Sequence, residues 1–449
     1  MIWTTVLTAV ALAAPAGADP FVHLEPMLAP VPDRPAAFAD RADDWSAVVD
    51  RLEAARKADE PVLAACSWAV VHEADRDGAD ADADELLARE ADCLRRAKAS
   101  AEGKGSKVDR AGKGNNLMVD EGPGAVVRVF YGTDRVREGD GYGGAPRCRG
   151  LSPGDSPDCL DVGVVEVNIP DEHRFGEVES EMPAMWTFTP NPKVHLFVVG
   201  TDRLDHAAWT AALKAELGKA SSKSGFVYIH GYNNSFDSAA MRAAQMTYDL
   251  KFPGVPMMYS WGSAGALSGY FADEDAVRFA VPHLRAYLQM AGQQAGVKEL
   301  HIVAHSMGNR VIAGLLESIE RDGAIEGVTV KSLILAAPDV DADVFRTEVV
   351  PRLASLSSHT SLYVNAGDKA LAASKLVHGS KPRAGAVPIE ADGLDTIDAT
   401  TVGTDMLGHA YFGSVPALLR DIQATWTGTP VPERDWLDRD HTHWTFHAE

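Results

Sequence analysis

The chain has 449 residues, and 46% of them are apolar and 24% charged. At about 150 residues per domain, that is too long for one ordinary unit. The proportions exclude collagen-like, wholly disordered and multi-span membrane proteins. Asp plus Glu number 64 against 42 for Lys plus Arg, a formal charge of -22. Such a surface repels phosphate backbones and argues against nucleic acid as a partner.

Residues 1–18 (MIWTTVLTAVALAAPAGA) carry no charged side chain. The apolar stretch from Val6 to Ala14 has signal-peptide length and is too short to span a bilayer. Ala16, Gly17 and Ala18 supply the small residues a signal peptidase reads, so cleavage is expected after Ala18, although the leader lacks an early Lys or Arg. No later apolar run is long enough for a stable membrane span. Export to the periplasm or outside the cell is therefore expected. The four cysteines agree: an even count in an exported chain predicts two local disulfides, Cys66–Cys93 and Cys148–Cys159.

From 36 to 97 the apolar spacing is helical, with Trp45, Val48, Val49 and Leu52 on one face and Leu86, Leu87 and Leu94 later. This segment is a candidate surface for a protein partner. The acidic run Asp75–Glu85 lacks EF-hand spacing, because Gly78 directly follows Asp77, and reads as a solvated turn. Residues 98–116 are rich in Lys, Gly and Ser and read as a flexible linker. From 120 to 425, strand-like and helix-like segments alternate, the pattern of an α/β fold with a mostly parallel sheet and helices on both faces. Strands are expected at Val126–Tyr131, Val164–Ile169, Val194–Val199, Phe226–Ile229, Val255–Trp261, Leu300–Ala304, Ser332–Ala337 and Ser361–Asn365, with a further one at Thr396–Val402. Helices are expected at 205–217, 237–250, 273–293 and 308–320. Residues 426–449 read as a polar C-terminal tail.

The chemistry centres on Leu300–Asn309 (LHIVAHSMGN). An apolar run ends, Ser306 follows, and Val311, Ile312, Leu315, Leu316 and Ile319 mark one face of a helix. This is the layout of a nucleophile elbow, G-x-S-x-G, with Ala304 in place of the first glycine and Gly308 as the second. The elbow exposes the hydroxyl and aims the Met307 amide at a developing oxyanion. A serine in a plain βα turn is the alternative. After the strand at 226–229, His230 and Gly231 open a turn in which the Tyr232 amide is the expected second oxyanion donor. His230 itself reads as a packing residue, and Asn233 and Asn234 as turn formers.

In this fold class an acid and then a histidine follow the serine. The acid is expected at Asp368, after the strand at 361–365, with Asp339 and Asp341 as alternatives whose ordinary role is helix capping. His409 is the expected general base. His378 lies within helix-like sequence, and His441, His443 and His447 read as a polar tail for want of a matching ligand pattern. His409 would take the Ser306 proton, Asp368 would fix its tautomer, and the amides of Tyr232 and Met307 would hold the tetrahedral oxyanion. Water then resolves the acyl-enzyme, and no metal or organic cofactor is needed.

The blocks YGTDR (131–135), NIPDEH (168–173), VYIHGYNNSF (227–236), VAHSMGNR (303–310), LAAPDVDADVF (335–345), NAGDKAL (365–371) and GHAYF (408–412) resemble a bacterial family of uncharacterised alpha/beta hydrolases. The resemblance covers about 125–415. It implies an esterase- or lipase-like serine hydrolase acting on a small-molecule or lipid ester, and it supports Ser306, Asp368 and His409. Here Gly262 follows Trp261 where the family has Pro, and the insertion at 147–159 and the segment 36–97 fall outside the shared core. Gly262–Phe271 is either a lid or a plain βα connection. Acyl transfer or amide hydrolysis by the same triad, and a non-catalytic binding module, are the competing classes.

Overall fold

The computed structural model describes residues 41–57, 125–148, 159–179, 191–264, 270–402 and 411–447, with isolated positions in 34–39 and 67–87. The chain divides into two units, 1–117 with 180–191 and 118–179 with 192–449. In the first, helix α1 (Ala42–Lys57) buries Trp45, Val48 and Leu52. These are the residues whose spacing predicts it, and the Trp45 ring packs on Phe38 at 5.3 Å between centroids. The expected leader, the 98–116 linker and both cysteines of the expected Cys66–Cys93 bridge lie outside the described residues.

The second unit is built on one eleven-stranded sheet. Its strands are β1 (Ala125–Thr133), β4 (Asp161–Ile169), β5 (Phe197–Leu204), β6 (Ser224–Ile229), β7 (Val255–Ser260), β8 (Glu299–His305), β9 (Thr329–Ala336), β10 (Thr360–Val364), β11 (Leu394–Asp398), β12 (Leu437–Asp440) and β13 (His443–Phe446). The order is β12-β13-β11-β10-β9-β8-β6-β7-β1-β4-β5, and β1, β7, β6, β8, β9, β10, β11 and β13 run parallel. Only β4, β5 and β12 are antiparallel to their neighbours. A separate hairpin, β2 (Arg135–Glu138) and β3 (Gly141–Pro146), leaves the end of β1.

Helices cover both faces: α2 (His206–Lys219), α3 (Phe236–Asp249), α4 (Tyr270–Gln289), α5 (Gly308–Asp322), α6 (Lys369–Val377), α7 (Tyr411–Ser414) and α8 (Pro416–Thr427). Three begin on a side-chain cap that satisfies an otherwise orphaned amide. Asp205 accepts from Ala208 N at 2.7 Å, Ser235 from Ser238 N at 3.1 Å, and Asp368 from Leu371 N at 2.9 Å. β6 is buried along its whole length, as a central parallel strand must be. Its alternate residues feed two cores. Val227 and Ile229 join Trp209 and Tyr287 on one face, and Phe226 and Tyr228 join Phe412 and Trp426 on the other.

The strand at Val194–Val199 is displaced, to 197–204, because this antiparallel edge strand has no strongly buried face to set its limits. The C-terminal segment expected as a polar tail instead forms the β12–β13 hairpin, and β13 pairs with β11 through Ile397–Trp444. A buried carboxylate holds it: Asp421 on α8 accepts from Arg434 Nη1 at 2.8 Å, Trp436 Nε1 at 2.8 Å and the Tyr363 hydroxyl at 2.5 Å. Both ion-pair side chains are fully buried. Arg434→Met, which leaves Asp421 uncompensated, is expected to cost about 3–5 kcal/mol, read as a lower urea midpoint.

Candidate active site

The order of the sheet reverses between β6 and β8: the chain passes from β6 to β7 on one side, and β8 then pairs on the other. Such a switch point opens a crevice at the carboxyl ends of the strands. Ser306 directly follows β8 there with a φ of +52°, a left-handed backbone that costs a non-glycine residue about 1–2 kcal/mol. The surroundings enforce it. Ser306 N donates to Ala336 O at 2.9 Å, and the Ser306 carbonyl accepts from Asn309 N at 3.1 Å and Asp339 N at 3.2 Å. The buried Asn309 amide donates to the carbonyls of Ala304, Ser306 and Ala336 at 3.2, 3.0 and 3.2 Å. Met307 is the N-cap position of α5, which places its amide at the positive end of that helix.

The turn after β6 is packed directly against the elbow. A Cβ on Gly231 would lie 2.7 Å from Ser306 Cβ, and one on Gly308 would lie 2.5 Å from His230 O. Both positions therefore require glycine. Tyr232 follows Gly231, so the turn carrying its amide is one residue from contact with Ser306 Cβ. Asn233 takes a φ of +56°, as the turn-forming reading expects.

Asp339, at the end of β9, is buried and committed. Its Oδ1 accepts from Arg383 Nε at 2.8 Å and Ser374 Oγ at 2.5 Å, and its Oδ2 from the Tyr270 hydroxyl at 2.6 Å. Burial alone would raise its pKa, but Arg310 and Arg383 outweigh it and hold the carboxyl below the usual range. Asp341 caps a short helical turn, accepting from Asp343 N at 2.9 Å and Val344 N at 3.2 Å. Asp368 is buried at the start of α6, just beyond the carboxyl end of β10, where its Oδ1 caps the helix. His378 is engaged through both ring nitrogens, at 2.8 Å from Ser374 O and 2.8 Å from Glu274 Oε1. His409 lies outside the described residues, but Phe412, three positions on, is buried and stacks on His305 at 4.4 Å, adjacent to Ser306. Among the described residues no group of three or more His, Cys, Asp or Glu could hold a metal ion.

Residues 205–425 match the family model described as "Alpha/beta hydrolase of unknown function (DUF900)". The fold is that of an alpha/beta hydrolase, and the matched stretch runs from α2 to α8. No curated protein matches it.

Several residues around the candidate site go unassigned when the sequence is read alone. Arg135 is fully buried and donates five hydrogen bonds: Nε to Ser260 Oγ at 2.8 Å, Nη1 to the carbonyls of Gly143 and Ser263 at 3.0 and 2.9 Å, and Nη2 to His230 Nε2 at 3.1 Å and Asn234 O at 2.7 Å. It ties the ends of β1 and β7 and the β2–β3 hairpin to the turn that carries Tyr232. Because Arg135 can only donate, His230 Nε2 is bare and Nδ1 carries the proton given to Gly231 O at 2.8 Å. Burial and the Arg135 charge push the His230 pKa down to about 3. With its ring stacked on Trp261 at 5.1 Å, His230 is a packing histidine. A Cβ on Gly262 would meet Pro146 N at 2.5 Å, so the β2–β3 hairpin packs directly on the backbone of residue 262. The Cys148–Cys159 disulfide closes the loop after that hairpin. Tyr270, in the loop considered as a lid, begins α4 with its hydroxyl tied to Asp339, whereas Phe271 is exposed.

Beside Arg135, the Asp134 carboxylate is buried and has no side-chain hydrogen-bond partner. Desolvation raises its pKa from 3.8 to about 7, despite the Arg135 charge. The folded protein keeps this proton where the unfolded chain has lost it, so the residue's stabilising contribution is lost as pH rises through that window. Asp134→Asn is therefore expected to gain stability relative to the unmodified protein between about pH 4 and pH 7, by on the order of a few kcal/mol. Urea midpoints of both proteins across this range test the sign.

Proposed function

We infer that the domain is a serine hydrolase acting on carboxylic esters, with Ser306 as nucleophile, His409 as general base and Asp368 as the acid. The observation that carries the reading is the left-handed Ser306 at a strand–turn–helix apex, with Gly231 and Gly308 packed against it. Strain of this kind persists only where surrounding structure over-determines it, and it concentrates at reactive sites. Phe412 supports His409. Three residues of chain span at most about 10 Å, and Phe412 stacks on the residue before Ser306. The choice of Asp368 over Asp339 follows from bonding, since both Asp339 oxygens are already taken by other side chains.

In this reading His409 removes the Ser306 proton as the hydroxyl attacks the ester carbonyl. The amides of Met307 and Tyr232 hold the resulting oxyanion, and water resolves the acyl-enzyme. The substrate is a small-molecule or lipid ester. Among the described residues no helix is long and apolar enough to cross a membrane. The Cys148–Cys159 bridge supports an oxidising, exported setting, as does the uncharged stretch 1–18.

Steady-state hydrolysis of p-nitrophenyl esters tests these roles. Ser306→Ala is expected to lower kcat on the order of 10⁵–10⁶-fold, and Asp368→Asn about 10³–10⁴-fold. Asp339→Asn breaks a buried ion pair and should cost about 3–5 kcal/mol of stability while the folded fraction keeps its kcat. The reverse pattern for the two Asp variants would reassign the acid.

A further inference from the structure

The NIPDEH block holds a charged group outside the site. The His173 side chain is buried between two carboxylates, with Nδ1 at 2.8 Å from Glu179 Oε2 and Nε2 at 2.7 Å from Asp249 Oδ1. Ionised carboxylates only accept, so both ring nitrogens must carry protons, and the ring is an imidazolium. Burial by itself lowers the His173 pKa, but the bonds to Asp249 and Glu179 outweigh it and the net shift is upward. Among the described residues, the titratable and charged groups facing His173 are Asp249 and Tyr248 of α3 and Glu179 of its own loop.

From Asp249 a polar chain runs along one face of α3, through Gln245 four residues earlier and Arg242 three before that. Gln245 Nε2 donates to Asp249 Oδ2 at 2.6 Å, which turns Gln245 Oε1 toward Arg242. Arg242 Nη1 donates to Gln245 Oε1 at 2.8 Å and to Gly413 O at 2.6 Å. A second contact converges on the same place. Gly176 N donates to Asp249 Oδ2 at 2.7 Å, and a Cβ on Gly176 would lie 2.3 Å from Ser414 O. A Cβ on Gly413 would likewise lie 2.9 Å from Arg242 Cδ. Donor and acceptor roles agree at every link, and the two contacts meet at residues 413 and 414. These directly follow Phe412, which stacks on His305.

We propose that the chain His173–Asp249–Gln245–Arg242 fastens α7 from outside the site, making Arg242 and His173 positioning residues for the helix that follows His409 in the chain. This rests on the triad reading above. The fastening is complete while His173 is doubly protonated. As pH rises through its raised pKa, one nitrogen loses its proton, one carboxylate loses its donor, and the stabilisation conferred by the upward shift is lost.

The test uses the full chain with Arg242→Met, Arg242→Lys and His173→Gln. For each, kcat and KM on a p-nitrophenyl ester are followed from neutral to alkaline pH. Hydrogen exchange is read on the peptide containing 411–414, and a thermal midpoint confirms folding. Arg242→Met is expected to lose about 10- to 100-fold in kcat through base misplacement, with KM nearly unchanged and faster exchange at 411–414. Arg242→Lys, which keeps a donor, should recover part of both. The unmodified protein should lose kcat as pH rises through the His173 pKa, whereas His173→Gln should be slow and lack that limb. Unmodified kcat and exchange in Arg242→Met, or an unchanged alkaline limb in His173→Gln, would overturn the positioning role alone. If the unmodified protein turns over no ester, the triad reading falls and takes the positioning role with it, while the exchange data still report whether Arg242 fastens α7.

Discussion

The site depends on a crowding constraint where β6 and β8 end side by side. Ser306 must turn the chain sharply enough to start α5 within two residues, and its left-handed backbone is the consequence. That turn is tolerated because Gly308 lets the helix pass under the His230 carbonyl and Gly231 lets the neighbouring turn touch Ser306 Cβ. Asn309 closes the arrangement by bonding three carbonyls from two adjacent strands. In the proposed chemistry, such fixed packing preorganises the backbone amides that hold the oxyanion.

Around this point the hydrolase domain arranges its buried charges in closed groups. Arg135 consumes its five donors on the turn after β6 and on the ends of neighbouring strands. Asp339 is neutralised by Arg310 and Arg383, and Asp421 by Arg434. Each group fixes a loop at the carboxyl edge or, for Asp421, the C-terminal hairpin. A buried charge left half-paired costs several kcal/mol, so these groups tolerate little loss of a partner. Asp134 is the exception among them, an acid whose desolvation outweighs the Arg135 charge and the backbone amides of Asp134 and Gly262.

The parallel strands and the elbow were legible because their signals are local. β6, β7, β8 and β10 are continuous apolar runs, and the face of α5 is spelled by Val311, Ile312, Leu315, Leu316 and Ile319. The β12–β13 hairpin was not legible. Its strands are four residues each with a single buried residue apiece, and their place is set by Arg434 reaching Asp421 from another element. The role of Arg135, within YGTDR, is not legible in the sequence, since its partners lie 8 to 128 positions away. The acid was only partly legible. Sequence order admits Asp339, Asp341 and Asp368, and the difference is in which oxygens other side chains already occupy.

The most direct test of the central claim is covalent labelling with an organophosphonate ester followed by peptide mapping. The reagent requires an activated serine hydroxyl and mimics the tetrahedral intermediate of acyl transfer. The account predicts stoichiometric phosphonylation of Ser306, on the peptide containing His305 and Met307, and none in Ser306→Ala. A folded protein that remains unlabelled, or that labels equally after Ser306→Ala, would contradict it.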